Sequence, residues 1–196
     1  AVAAAEGFSS WSLFAAKHAA TAPAEKLFAR CAPGDLVLVG ARPGHGKTLM
    51  SLELAIHAMR AGHRAMFFTL EYTGRDVLDR FAAIGADFER FRDLFEFDTS
   101  DAISADYIAA RLASAPRGTL AVIDYLQILD QKRDNPDLMT HVRALKAFAR
   151  ERGIVIVFIS QIDRSYDPAL KPCPDIGDVR LPNPLDLKLF DKACFL

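Results

Sequence analysis

Residues 36–48, Leu-Val-Leu-Val-Gly-Ala-Arg-Pro-Gly-His-Gly-Lys-Thr, constrain this chain more than any other stretch. The apolar run Leu36 to Val39 predicts a buried strand, and the residues after Lys47 carry a helical apolar pattern. Between them lies a glycine-rich turn that ends in Gly46-Lys47-Thr48. A strand, such a turn and a helix in that order predict a phosphate-binding loop. Glycines let backbone N–H groups converge on phosphate oxygens, and the helix start adds its dipole and free amides. The predicted nucleotide contacts are therefore Arg42, Pro43, Gly44, His45, Gly46, Lys47 and Thr48. Lys47 reaches the terminal phosphates and the Thr48 hydroxyl holds Mg²⁺. No chemistry is assigned to the His45 ring. The pattern has one departure: Ala41 stands five places before Gly46, where glycine is usual.

The rest of the chain fits one globular α/β core. It has 196 residues, of which 51% are hydrophobic, enough for a sizeable interior. The formal net charge is −1, so no global field attracts nucleic acid, and any such contact must come from local basic loops. Cys31, Cys173 and Cys194 are scattered without metal-ligand spacing, which points to a reducing compartment. Cys194 sits in an apolar run and is expected in the core. No segment reaches membrane-spanning length, and Ala1 to Ala5 lacks a basic leader, so no signal peptide is expected. The expected location is the cytoplasm.

Along the chain, Phe8 to Ala20 reads as an amphipathic helix carrying Trp11 and Phe14, and Thr21 to Gly34 as a proline-containing linker. Residues 1–32 thus form an N-terminal helix and linker, and 33–196 the core. Strands are predicted at Asp35 to Gly40, Ala65 to Leu70, Phe95 to Phe97, Thr119 to Ile123, Ile154 to Ser160 and Lys192 to Leu196. Helices are predicted at Lys47 to Arg60, Arg75 to Ala83, Ser104 to Ser114 and Pro136 to Arg152. Strands alternating with helices predict a mostly parallel sheet with helices on both faces. A proline-rich loop from Gln161 to Leu185 is too long to be mere connection.

In a parallel sheet, ligands gather at the carboxyl ends of the strands. Asp124 ends the run Leu120 to Ile123 and matches a Walker B acid that orients Mg²⁺ beside Thr48. Tyr125 follows it, so no neighbouring acid is available to activate water. Glu71, at the end of the strand Ala65 to Leu70, is the best placed carboxylate for that task. Gln161, at the end of Ile154 to Ser160, is a neutral polar group able to sense the γ-phosphate.

These residues resemble the motor core of DnaB-type replicative helicases, a branch of the RecA-like P-loop ATPases. Gly40 to Thr48 looks like that family's Walker A, which also tolerates alanine at the first position and carries Arg-Pro next. Thr69-Leu70-Glu71-Tyr72 is similar to its Ser-Leu-Glu-Met motif, and Val122 to Gln127 to its Walker B. Ile159-Ser160-Gln161-Ile162-Asp163-Arg164 resembles its sensor motif, and Asp178-Val179-Arg180 its DNA-loop motif. The likeness runs from about Pro33 to Leu196, in the family's order. It implies a RecA-like fold, Mg-ATP binding and hydrolysis, catalytic roles for Glu71, Lys47 and Gln161, and a base contact for Arg80, nine places after the glutamate. It implies single-stranded DNA as partner, met by loops carrying Lys132, Arg133, Arg164, Lys171 and Arg180. Tyr166 is the stacking candidate there, while Leu181-Pro182-Asn183-Pro184 departs from the family's Glu-Ser-Gly-Ala. It also implies assembly into a ring or smaller oligomer, with the helix from Phe8 to Ala20 docking on a neighbour.

By the resemblance, the family's inter-subunit lysine and arginine finger and its primase-interacting domain are not expected within these residues. The resemblance therefore implies a core cut short at its C-terminal end, with slow turnover by the chain alone. The alternative reading is a regulatory ATP-binding module that switches partner association without unwinding. A small-molecule P-loop kinase would want an arginine-rich lid, and the loop after Gln161 offers only Arg164 and Arg180.

Overall fold

The computed structural model describes residues 2–5, 8–11, 21–126, 129, 137–181 and 183–196. Two short strands, β1 (Val2–Ala5) and β2 (Phe8–Trp11), pair antiparallel at the start. The helix expected from Phe8 is thus a strand over its first residues, and its remainder, with Phe14, lies outside the described residues. The linker expected from Thr21 begins instead as helix α1 (Thr21–Phe28). Pro23 falls in its first turn, where a missing N–H costs nothing. The buried Ala24 and Leu27 face the same apolar layer as the next helix, α2 (Lys47–Arg60).

The core is a six-stranded, fully parallel sheet. Its strands are β3 (Leu36–Ala41), β4 (Ala65–Thr69), β5 (Phe95–Asp98), β6 (Leu120–Asp124), β7 (Val155–Gln161) and β8 (Lys192–Phe195), in spatial order β5-β4-β6-β7-β3-β8. Strands β3, β4 and β6 are buried along their whole length. That is why they read as continuous apolar runs rather than alternating ones. Helices α4 (Ala105–Arg111) and α5 (Leu138–Arg152) cover one face, burying Ile108, Val142 and Leu145 against Leu36, Ala121 and Phe158. Helices α1, α2 and α3 (Gly74–Ala83) cover the other, with Leu52, Val77 and Phe81 against Val37, Phe67 and Val157.

Each helix starts and stops where its sequence allows. Thr73 and Asp76 form a reciprocal capping box at the start of α3, and Asp137 accepts the Thr140 N–H at the start of α5. Gly153 ends α5 at φ 67°, a left-handed conformation that glycine adopts without strain. The register of β8 is held from below. The Leu36 N–H donates to the Asp191 carboxylate, which also pairs with Lys146 at 3.0 Å, and Lys192 pairs with Asp35. No disulfide joins Cys31, Cys173 and Cys194, and burial pushes the thiols of Cys31 and Cys194 up to about 12.

Candidate active site

Parallel pairing sets the strand ends level. Gly40 faces Ser160 and Ala41 faces Gln161 across β3 and β7, while Asp124 faces Thr69 on β4 and Ile159 on β7. The phosphate loop, Glu71, Asp124 and Gln161 therefore emerge from one edge of the sheet, on four adjacent strands.

The loop itself is built for backbone contact. Gly44 and Gly46 take φ of 80° and 83°, and an added Cβ at either would meet open space on one side and strain in the backbone. Gly46 serves as N-cap of α2 without any side-chain cap, so the first amides of that helix stay open for an anion. Ala41 is tolerated because it is still the last residue of β3, buried and extended, and needs no positive φ. The demand for glycine falls on Gly40 instead: a Cβ there would lie 2.7 Å from the Phe195 ring and 3.0 Å from Ile162.

Asp124 is the most unusual charged group of this edge. It is fully buried, and neither carboxylate oxygen has a hydrogen-bond partner among the described residues. Burial, and then the charge of Glu71, push its carboxyl up to about 7, against the opposing pull of Lys47 and Arg80. The charges of Glu71, Lys47 and Arg80 thus all reach Asp124 at the strand ends. Two buried carboxylate oxygens without a partner among the described residues are left with unmet acceptor capacity at this strand end. No cluster of three or more His, Cys, Asp or Glu that could enclose a metal exists among the described residues.

Glu71 is exposed just beyond β4, where its N–H donates to the Thr69 hydroxyl at 3.0 Å. The Thr48 hydroxyl lies 3.0 Å from the Tyr72 hydroxyl. Arg80 lies with its guanidinium 4.1 Å above the Tyr72 ring and donates to the Asp76 carbonyl. Tyr72 was not among the residues the sequence singled out; its only signal is its place next to Glu71.

Arg42 points out of the phosphate loop. Its guanidinium donates to the Tyr166 carbonyl and lies 5.1 Å from the Tyr166 ring centroid. Tyr166 is buried, with its hydroxyl donating to the Lys171 carbonyl, so the stacking surface expected of it is covered by its own loop. Lys171 pairs with Asp178 at 2.6 Å and Asp175 at 2.7 Å, which ties its charge to carboxylates of that loop. The loop folds back along β7: Ile162 bridges Val179, and the Arg180 N–H donates to the Gln161 carbonyl at 2.8 Å. Arg164 and Arg180 are exposed on it. Lys132 and Arg133 lie outside the described residues.

A strand-end edge with a phosphate loop on one strand, a buried acid two strands away and the polar Gln161 on the strand between them defines a RecA-like P-loop ATPase core. The chain belongs to the KaiC-type ATPase family, whose model, described as "ATPase: KaiC", matches residues 27–172. Among named relatives, it is 24% identical to the replicative DNA helicase DnaB of Mycoplasma pneumoniae, over 81% of this chain and 41% of that protein. It is 25% identical to DnaB of Haemophilus influenzae, over 80% of this chain and 41% of that one. The chain thus spans about two fifths of the length of these relatives. Among solved structures, the ATPase domain of G40P superposes with a TM-score of 0.63 at 19% identity, covering 76% of this chain and 65% of that one. A DnaB-like replicative helicase, solved for its interactions with primase, gives 0.60 at 22%, covering 76% and 44%. Both share the fold described above. No helix among the described residues is long and apolar enough to cross a membrane.

Proposed function

We propose that this chain binds Mg-ATP at the strand-end edge and hydrolyses it to ADP and phosphate, as the motor core of a DNA helicase of the DnaB type. The observation that carries the reading is Asp124. A buried carboxylate with no partner costs stability unless the site exists to hold a cation. Here it stands at the end of β6, in the field of Lys47 and Glu71.

In this reading, the amides from Arg42 to Lys47 and the start of α2 hold the phosphates, with Pro43 shaping the turn and His45 contributing its backbone. Lys47 neutralises the terminal phosphates, and Thr48 and Asp124 hold Mg²⁺. When bound, Mg²⁺ draws negative charge from the β- and γ-phosphates. Glu71 accepts the proton of the attacking water. Gln161 donates its amide toward the γ-phosphate, and Arg80 supplies positive charge from the side of Tyr72. Because the Arg180 N–H holds the Gln161 carbonyl, the loop carrying Arg164 and Arg180 is tied to that sensing position. Those two arginines are the proposed contacts to single-stranded DNA phosphates, with Lys132 and Arg133 as further candidates. Self-association into a ring or smaller oligomer would set these loops around the strand.

The test is phosphate release with Mg-ATP, with and without single-stranded DNA, beside a solution mass measurement. Turnover that rises with DNA supports the helicase-type motor. Tight ATP binding with no turnover in either condition would favour a switch module instead.

A further inference from the structure

We propose that Tyr72 is a positioning residue for the metal side of the nucleotide site, holding the Thr48 hydroxyl in the orientation that presents its lone pairs to Mg²⁺. The inference rests on Thr48 and Asp124 being the Mg²⁺ side of an ATP site.

The two hydroxyls are 3.0 Å apart, and either oxygen can donate. A threonine hydroxyl has one proton and two lone pairs. A divalent cation needs a lone pair, and the arrangement that leaves both lone pairs open to it has the Thr48 O–H pointing at the Tyr72 oxygen. Coordination withdraws electron density from the Thr48 oxygen and makes its proton a stronger donor. The bond to Tyr72 is therefore worth more with the metal than without it, which is the condition for an effect specific to Mg²⁺.

The surroundings hold Tyr72 to this position. The Thr73–Asp76 capping box fixes the start of α3 immediately after it. One turn further, Arg80 returns over the Tyr72 ring at 4.1 Å while its Nη1 donates to the Asp76 carbonyl at 3.2 Å. The ring also packs on the apolar layer under α2 and α3. Thus the half-buried ring is clamped from above by a cation and from below by the core, and its hydroxyl is delivered to Thr48. Since Tyr72 directly follows Glu71, the same strand end places both the water-activating carboxylate and the group that orients the metal-binding hydroxyl.

The experiment is Tyr72→Phe, which keeps the ring and the Arg80 stack and removes only the hydroxyl. ATP affinity is measured by calorimetry in EDTA and across a Mg²⁺ titration, for wild type and variant. The expected result is unchanged affinity in EDTA and about a fivefold higher Mg²⁺ concentration for half-maximal response, the effect of losing one hydrogen bond. In a Thr48→Val background, Tyr72→Phe should add nothing. If wild type responds to Mg²⁺ and Tyr72→Phe responds identically, the inference is overturned and the ATP site stands. An equal loss in EDTA and in Mg²⁺ would also overturn it, because it marks a general packing role. A wild type whose ATP affinity ignores Mg²⁺ would sink the site reading and this inference together.

Discussion

Asp124 and Glu71 stand at the carboxyl ends of neighbouring parallel strands, and the charge of Glu71 adds to burial in pushing the Asp124 carboxyl up to about 7. Two acids of different environment on adjacent strands divide naturally between two tasks. In the proposed function the buried one meets a cation, and the exposed one exchanges protons with water.

The first prediction concerns pH. Below its ordinary value of 3.8, Asp124 is protonated in both the folded and the unfolded chain, and it does not bias folding. As pH rises toward about 7, the unfolded chain releases this proton and the folded chain keeps it. Stability contributed by the buried neutral acid is therefore lost across that window and is flat above it. Asp124→Asn should melt at roughly 5 °C or more above wild type at pH 8 without metal, with the gap closing toward pH 4. Parallel melting curves across this range would contradict the burial argument.

Lys47→Ala should lower Mg-ATP affinity at least about tenfold while leaving the fold intact. The ammonium is half-exposed at the start of α2, where α2 is held by Leu52, Leu54 and Ala58 on its buried face. Calorimetry beside a thermal melt checks both halves, and unchanged affinity in a folded variant would remove the phosphate loop from the account.

Gly40→Ala is predicted to destabilise the chain by about 1–3 kcal/mol through overpacking. Its new methyl would meet the Phe195 ring at 2.7 Å, between a central strand and an edge strand that cannot easily separate. Chemical denaturation measures the loss. Phe195→Leu in the same chain should recover part of it.

Arg42→Ala should loosen the segment between Asp163 and Val179, because the guanidinium links the phosphate loop to Tyr166. Limited proteolysis reads this as faster cleavage within that segment. ATP affinity should change little, since the Arg42 side chain leaves the loop. Protection equal to wild type would show that the segment's other ties, such as the Lys171–Asp178 pair and the Ile162–Val179 bridge, hold it without Arg42.

Much of this was legible in the sequence because it is local. The buried strands announce themselves as apolar runs, and Gly46, Gly153 and Asp137 mark helix ends by residue type. Their parallel alignment followed from helices between them, and it sufficed to bring Lys47, Glu71, Asp124 and Gln161 to one edge. What was missed depends on contacts between distant residues. Pro23 reads as a break, yet its helix exists because Ala24 and Leu27 have α2 to pack on. Phe8 to Trp11 carries apolar and polar residues compatible with either period, and pairing with Val2 to Ala5 makes it a strand. Tyr166 reads as a free aromatic in its loop, whereas Arg42, far away in the chain, lies on its ring. Tyr72 could not be assigned from residue type, because only the fold of α3 brings its hydroxyl to Thr48.

The most direct test of the account is steady-state phosphate release by Glu71→Gln beside its ATP affinity. Glu71 lies exposed beyond β4, so the substitution leaves the phosphate loop and Asp124 in place. The account predicts ATP affinity within about twofold of wild type and turnover reduced by about 100-fold or more, the scale of a lost general base. Hydrolysis at the wild-type rate would contradict the assignment of water activation to this edge.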